Sequence, residues 1–383
     1  MSVTAAAGFR AAGVTAGLKP SGRPDVALVV NDGPEHVVAA VFTSNRVEAA
    51  PVTWSRQVVT DGRADVVLLN SGGANACTGA QGFLDTHRSA ELAAVAVGVS
   101  AGDVVVCSTG LIGELLPMDK IESGITAAAG SLSADGGEDA ATAIMTTDTV
   151  AKECTGFGSG YTIGGMAKGA GMLAPSLATM LVVITTDAVL TAEQAGEALR
   201  AATAMSFDRI DSDGCQSTND TVVLMASGAS GVNPQMGEFT AILTQVCVDL
   251  AEQLIADAEG AAHDITIDVQ GAASVDDALE VARSIARNNL FKCAVFGNDP
   301  NWGRVLAGVG TTSAAFEPAQ LDVAINGVMV CRSGGVGDDR SGVDMSQREV
   351  KVEVFLHAGD ADATVLTNDL THDYVHENSA YST

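Results

Sequence analysis

An α/β fold is predicted by three features of this 383-residue chain. Short β-branched apolar runs recur between Gly, Asp and Asn residues, apolar stripes at helical spacing separate several of them, and 47% hydrophobic content suffices to bury a large core. Mixed sheets packed against helices are expected, in one large or two medium domains. In the first half, strands are expected at residues 25–30, 36–42, 65–69 and 103–107. The second half repeats the style at 180–185, 221–226, 264–269, 321–325, 350–356 and 363–366. Thr191-Ala-Glu-Gln194 reads as a capping box opening a helix, and Ser274-Val-Asp-Asp opens another. The longest helix is expected over 237–259, with Phe239, Ile242, Leu243, Val246, Cys247, Leu250 and Leu254 on one core-facing stripe. Glu259 then stands at its end. Residues 127–137 are the nearest thing to a loose linker, and no internal repeat is visible.

Composition excludes several functions. A formal net charge of -27 argues against nucleic acid, because a phosphate-binding surface needs clustered Lys and Arg. No apolar run approaches the roughly 18–20 residues needed to cross a bilayer, and the start Met1-Ser-Val-Thr-Ala-Ala-Ala-Gly8 lacks a basic segment followed by an apolar one. A cytoplasmic protein without membrane contact is expected. The seven cysteines contain no CxxC pair and the six histidines no HExxH or HxH spacing, so no metal site is expected. Gly156-Phe-Gly158-Ser-Gly160 and Gly169-Ala-Gly171 lack the third glycine of a dinucleotide fingerprint, and neither a phosphate-binding GxxxxGK[ST] nor a GxSxG nucleophile elbow occurs. Cys77 with His87, one loop cysteine near one histidine, is a weak nucleophile–base pair.

Lys168-Gly-Ala-Gly-Met172 and the segment to Asp187 carry the chemistry. A glycine-rich turn feeds Thr179, after the small Ala178, into the β-branched run that follows Met180. Such a threonine is either an ordinary strand residue or a self-cleaving one. In the second case its hydroxyl attacks the Ala178 carbonyl, and an N-to-O acyl shift and hydrolysis cut the chain between Ala178 and Thr179. The freed α-amine has an unperturbed pKa of about 7.7–8.0, close enough to neutrality to act as general base for the hydroxyl of its own residue. Acyl transfer also needs donors aimed at a tetrahedral oxyanion. The strand at 103–107 runs into Ser108-Thr109-Gly110, which would project a hydroxyl and a backbone N–H from its tip, or form a plain ST-turn.

Lys168-Gly-Ala-Gly-Met172 with Ala178-Thr-Met-Leu181 resembles the cleavage signature of the ornithine acetyltransferases, also called glutamate N-acetyltransferases. Asn70-Ser-Gly-Gly-Ala-Asn-Ala-Cys-Thr-Gly79, Ser108-Thr-Gly-Leu-Ile-Gly113, Met145-Thr-Thr-Asp-Thr149, Asp211-Ser-Asp-Gly-Cys-Gln-Ser-Thr-Asn-Asp220, Gly297-Asn-Asp-Pro-Asn-Trp-Gly-Arg304 and Asp369-Leu-Thr-His-Asp-Tyr374 resemble that family in the same order along nearly the whole chain.

The resemblance implies a self-processing threonine-nucleophile acyltransferase fold. Residues 1–178 would form an α chain with the oxyanion hole and part of the pocket, and 179–383 a β chain opening on the nucleophile. Thr179 would be catalytic, Thr109 and Gly110 the oxyanion hole, and Thr146, Lys168, Thr179, Glu259, Asn378 and Thr383 substrate ligands. Thr147 is the alternative to Thr146, and Thr383 departs mildly from a family that often ends in Ser. The reaction implied is ping-pong transfer of acetyl from N2-acetyl-L-ornithine to L-glutamate in the cyclic arginine pathway. It gives L-ornithine and N-acetyl-L-glutamate without a cofactor, in an α2β2 heterotetramer. Some members also use acetyl-CoA, and no residue here decides that. Two rivals stay open: a self-processing aminopeptidase or amidase that passes the acyl group to water, and a binding protein that stays uncut.

Overall fold

Five strands that are buried from end to end lie in the first part of the chain. The computed structural model describes residues 2–174 and 180–380; the expected Ala178, Thr179 and Thr383 lie outside them. The chain divides into two units, the first running to Asp208 and including Cys215–Asp257, the second comprising Arg209–Gly214 and Ala258–Tyr381.

In the first unit, β1 (Phe9–Val14), β2 (Val26–Asn31), β3 (Val37–Phe42), β4 (Val66–Ser71), β5 (Val104–Thr109), β6 (Lys152–Phe157), β7 (Thr162–Lys168), β8 (Leu181–Thr186) and β9 (Thr221–Ala226) form two sheets, ordered β1-β2-β4-β5 and β3-β9-β8-β7-β6. Their helices are α1 (Ala50–Val58), α2 (Gly79–Val97), α3 (Met118–Gly130), α4 (Gly137–Ala143), α5 (Ala192–Ala204) and α6 (Met236–Ala256).

The alternation of side chains along a strand sets the layers. Ala27, Val29, Val67, Leu69, Val105 and Cys107 meet Met166, Leu181, Val183, Val223 and Met225 in one core between the sheets. The residues between them, Val26, Leu28, Val30, Val66, Leu68, Val104 and Val106, pack with Ala90, Ala93 and Ala94 of α2 and Ile121 and Ile125 of α3. The opposite face of the second sheet lies under α5 and α6. A helix–sheet–sheet–helix sandwich results. Covering both faces explains why these strands are continuous apolar runs rather than alternating ones.

Strands β6 and β7 were not expected, because Gly156, Gly164 and Gly165 interrupt their pattern. The glycines make room for close packing. A Cβ at Gly164 would lie 2.3 Å from the Ser2 carbonyl oxygen, and one at Gly156 would lie 2.7 Å from the Ile242 side chain of α6. The stripe of α6 is buried as expected except for half-buried Ile242. With 21 residues, α6 is long and apolar enough to span a bilayer by length and composition, and here that stripe packs on β6 and β7. The expected loose linker is the last turn of α3, a short turn bridged through Ser133 to Ala11, and the head of α4.

The second unit is one six-stranded sheet of β10 (Asp264–Ala272), β11 (Asp322–Ile325), β12 (Val328–Arg332), β13 (Gly335–Val336), β14 (Glu349–Phe355) and β15 (Ala361–Asn368), ordered β13-β12-β11-β14-β10-β15. One face, carrying Ile265, Ile267, Val269, Val352 and Val354, packs with residues of α7 (Val275–Ala286), α8 (Asn289–Phe296) and α9 (Trp302–Val309). A last helix, α10 (His372–Ala380), follows β15.

The capping box at α5 is present: Thr191 Oγ accepts the Gln194 N–H at 3.2 Å, and Gln194 Oε1 accepts the Thr191 N–H at 3.0 Å. Thr191→Ala is expected to lower unfolding stability by about 1 kcal/mol, read from urea midpoints at unchanged slope.

Candidate active site

The tip of β5 is held from several sides. Parallel pairing sets Asn70 beside Ser108 and Ser71 beside Thr109, and past it the N–H groups of Gly72 and Gly73 both donate to the Thr109 carbonyl, at 2.9 and 3.0 Å. Gly110 has φ +129°, and a Cβ there would sit 2.5 Å from the Gly73 nitrogen. Only glycine fits. Asn70 braces the approach, its Nδ2 donating to Gly73 O at 3.0 Å and its Oδ1 accepting the Ser108 hydroxyl at 2.6 Å. Asn219, just before β9, donates to Ala74 O at 2.6 Å and to Ser108 O at 2.8 Å.

Lys168 is expected in a turn, but the structure makes it the last residue of β7, opposite Leu181 of β8. The turn begins one residue later, since antiparallel pairing with β8 carries β7 through Lys168. The side chain is buried, and its Nζ donates to Thr109 Oγ at 3.2 Å. An ammonium has no lone pair to accept with. The threonine oxygen is therefore the acceptor, and the hydroxyl's own proton stays available to donate elsewhere.

Asp148 gathers this region together. Its Oδ1 accepts Lys152 Nζ at 2.7 Å and the Gly169 N–H at 2.6 Å, while Oδ2 accepts the Thr146 N–H at 2.9 Å. Lys152, fully buried, also reaches Asp257 Oδ2 at 2.5 Å. Burial alone would raise the Asp148 pKa. The charges of Lys168 and Lys152 and the hydrogen bonds outweigh it, holding the carboxyl at about 2. Between Thr146 and Thr147, it is Thr146 that Asp148 fixes. Lys19 adds a cation that sequence reasoning missed: it donates to Pro24 O at 2.7 Å, and burial lowers it to about 8, with Asp25 and Asp148 raising and Lys168 lowering it further.

Of the expected site residues, Thr109, Gly110, Thr146 and Lys168 thus fall in the first unit, joined by Asp148. Asp148, Lys152, Asn219 and Asp220 were absent from the expected set, although all but Lys152 belong to a motif noted above. Glu259 is expected on the end of the long helix. That helix stops at Ala256 with Asp257 as its C-cap, so Glu259 lies in a turn beyond it.

Glu259 and Asn378 belong to the second unit. There the turn at 259–260 is fastened to the head of α10. Thr371 donates to Gly260 O at 2.5 Å, Asp369 accepts the N–H groups of Ala262 and His263 at 2.9 and 3.0 Å, and a Cβ at Gly260 would lie 2.2 Å from the Tyr374 nitrogen. Asn378, exposed on α10, donates to Tyr374 O at 3.0 Å. His87, the weak base candidate, lies tilted against Trp54 with ring centroids 5.0 Å apart and planes at 59°. Among the described residues no three His, Cys, Asp or Glu side chains converge as a metal site.

A hydroxyl polarised by a buried lysine, next to a glycine N–H on a strand tip, suits an enzyme that transfers acyl groups. The ArgJ family model matches residues 10–383. The chain is 66% identical over 383 residues to the arginine biosynthesis bifunctional protein ArgJ of Thermobifida fusca, covering all of both chains, and 65% identical over 382 residues to that of Streptomyces coelicolor, again covering all of both. A crystal structure of ornithine acetyltransferase complexed with ornithine from Mycobacterium tuberculosis is 54% identical, covers 47% of this chain and 96% of its own, and superposes with a TM-score of 0.45. The chain belongs to the ArgJ family.

Removing the Asp148 charge leaves Lys168 and Lys152 without their shared counter-ion. Asp148→Asn is expected to cost about 3 kcal/mol of stability at pH 7, measured by denaturant unfolding. The folded-state pKa lies below the ordinary aspartate value of about 3.9. The wild-type advantage over this variant is therefore complete above about pH 4 and is lost as pH falls through about 2.

Proposed function

We propose that Thr179 carries the acetyl group in a ping-pong reaction whose oxyanion is held by Thr109 and Gly110. The chain is an acetyltransferase of arginine biosynthesis, moving acetyl from N-acetylornithine to glutamate. The observation that carries the residue assignment is the bond from Lys168 Nζ to Thr109 Oγ beside Gly110. It leaves one hydroxyl proton and one backbone N–H to meet a developing oxyanion.

In the first half-reaction the Thr179 hydroxyl attacks the acetyl carbonyl while the α-amine of the same residue takes its proton. The bond from Thr179 Oγ to the acetyl carbon forms, the amide bond to the ornithine nitrogen breaks, and that nitrogen receives the proton. Ornithine leaves. Glutamate then enters, its α-amine attacks the acetyl-threonine ester, and N-acetylglutamate departs with Thr179 restored. Lys168 and Thr146 are assigned to the substrate's polar end, and Glu259 to the δ-ammonium of ornithine. Asn378 and Thr383 complete the proposed ligand set.

Self-cleavage after Ala178 would give fragments 1–178 and 179–383. Strands β6 and β7 precede that cut and β8 and β9 follow it, yet all four are hydrogen-bonded in one sheet. The fragments are therefore proposed to stay associated, and an α2β2 assembly is the state we assign. Cysteines that form no disulfide among the described residues suit the reducing cytoplasm proposed as its setting.

Denaturing intact-mass spectrometry tests the nucleophile. Two fragments split between Ala178 and Thr179 are expected, with about 42 Da added to the C-terminal one by brief exposure to N-acetylornithine. Thr179→Ala should stay uncut and inactive; a cut, active variant would sink the mechanism. Supplying glutamate should return the acetyl group as N-acetylglutamate, whereas release as acetate alone would mark a hydrolase.

A further inference from the structure

Asp220 has a buried carboxyl, hydrogen-bonded to Met180 one residue after the expected nucleophile, that the mechanism above does not use. It is fully buried, immediately before β9. One oxygen accepts the Met180 N–H at 3.1 Å, and the other has no hydrogen-bond partner among the described residues. The Ser217 N–H and hydroxyl also face the group and favour its ionised form, though neither meets hydrogen-bonding geometry for that second oxygen. Burial pushes the carboxyl well above the usual range, with the Met180 N–H and the Lys168 charge pulling the other way.

Strand pairing does not explain the residue. The Thr221 N–H already donates to Met180 O at 3.1 Å, and the Asp220 carbonyl already takes the Thr43 N–H at 2.9 Å. An apolar side chain at 220 would leave both of those bonds in place but would exchange the unpartnered carboxyl oxygen for an unpartnered Met180 N–H, each costing about 1–3 kcal/mol. What the carboxyl adds is a hold on the Met180 nitrogen, the atom bonded to the carbonyl carbon of Thr179. The preceding residue, Asn219, grips Ala74 O and Ser108 O at the strand tip. Two consecutive side chains thus tie the oxyanion strand and the peptide following the nucleophile to one loop.

We propose that Asp220 is a positioning residue for Thr179, fixing the C-terminal side of that residue against Thr109 and Gly110 through self-cleavage and acetyl transfer. The proposal rests on reading Thr179 as the nucleophile. In self-cleavage the Thr179 Oγ–Ala178 carbon bond forms, the Ala178–Thr179 amide bond breaks, the proton passes from oxygen to nitrogen, and water then hydrolyses the ester; Asp220 takes part in no bond change.

Asp220→Asn retains an oxygen acceptor, Asp220→Ala removes it, and Asp220→Leu fills the space without one should the alanine variant fail to fold. Each full-length variant is checked by circular dichroism, followed for cutting by intact mass, and assayed for transfer, with kcat normalised to the fraction of chains that take up acetyl. The asparagine variant should cut and transfer within about threefold of wild type. A folded apolar variant should cut about tenfold or more slowly, and its cut fraction should lose kcat by a similar factor with KM for N-acetylornithine unchanged. Loss of folded protein would not move the normalised kcat. Wild-type rates in a folded apolar variant would overturn the proposal, as would a folded asparagine variant as slow as the apolar ones. Wild-type protein left uncut between Ala178 and Thr179 would instead defeat the nucleophile reading itself, before any variant is compared.

Discussion

Asp148 is shared by two buried lysines and two backbone amides, and the first unit's polar centre is organised around it. Taking such charges out of water costs several kcal/mol per ion, and their attraction offsets that only when geometry is good and remaining lone pairs are satisfied. Here both oxygens are engaged. An apolar cluster would serve stability as well, so the network is better understood through what it positions. It fixes Thr146 by its N–H, fixes Gly169 at the exit of β7, and balances a lysine whose ammonium would otherwise be expensive to keep dry.

With that balance in place, Lys168 can stand under Thr109 and polarise it. The strand tip contributes rigidity of a different kind. Gly72, Gly73 and Gly110 pass so close that no side chain fits at 110, and the Asn70 and Asn219 amides fill the remaining hydrogen-bonding needs. Electrostatics thus sets the charge at this site and backbone contact sets its shape.

Much of this was legible in the amino-acid sequence, and the rest was hidden for identifiable reasons. The ten expected strands are all present within a few residues, because β-branched runs buried on both faces announce themselves. Strands β6 and β7 were hidden by the glycines that let α6 and the N-terminal segment approach them. Helix α2 was hidden because its buried face is Gly82, Asp85, Thr86, Ser89, Ala90, Ala93 and Ala94, too small or too polar to stand out as an apolar stripe. The roles suggested for Thr109, Gly110 and Lys168 came from resemblance. That Lys168 ends a strand and bonds Thr109 depends on a contact across 59 residues, which no local pattern reports. Asp148, Lys152 and Asp220 read locally as surface charges, and only their burial marks them otherwise.

The register of β7 with β8 has a further consequence. Lys168 lies opposite Leu181, so a chain cut between 178 and 179 is cut inside the connection of two neighbouring strands. Before the cut, that pairing closes a short loop, whose entropic cost is small and paid within one molecule. Afterwards the same strands belong to separate polypeptides, and unfolding would set them adrift. Refolding then becomes a second-order encounter that slows with dilution, and apparent stability becomes a function of protein concentration. Processing of this kind would make the fold a one-way product of its uncut precursor, its durability then set by how slowly it opens rather than by how readily it is rebuilt.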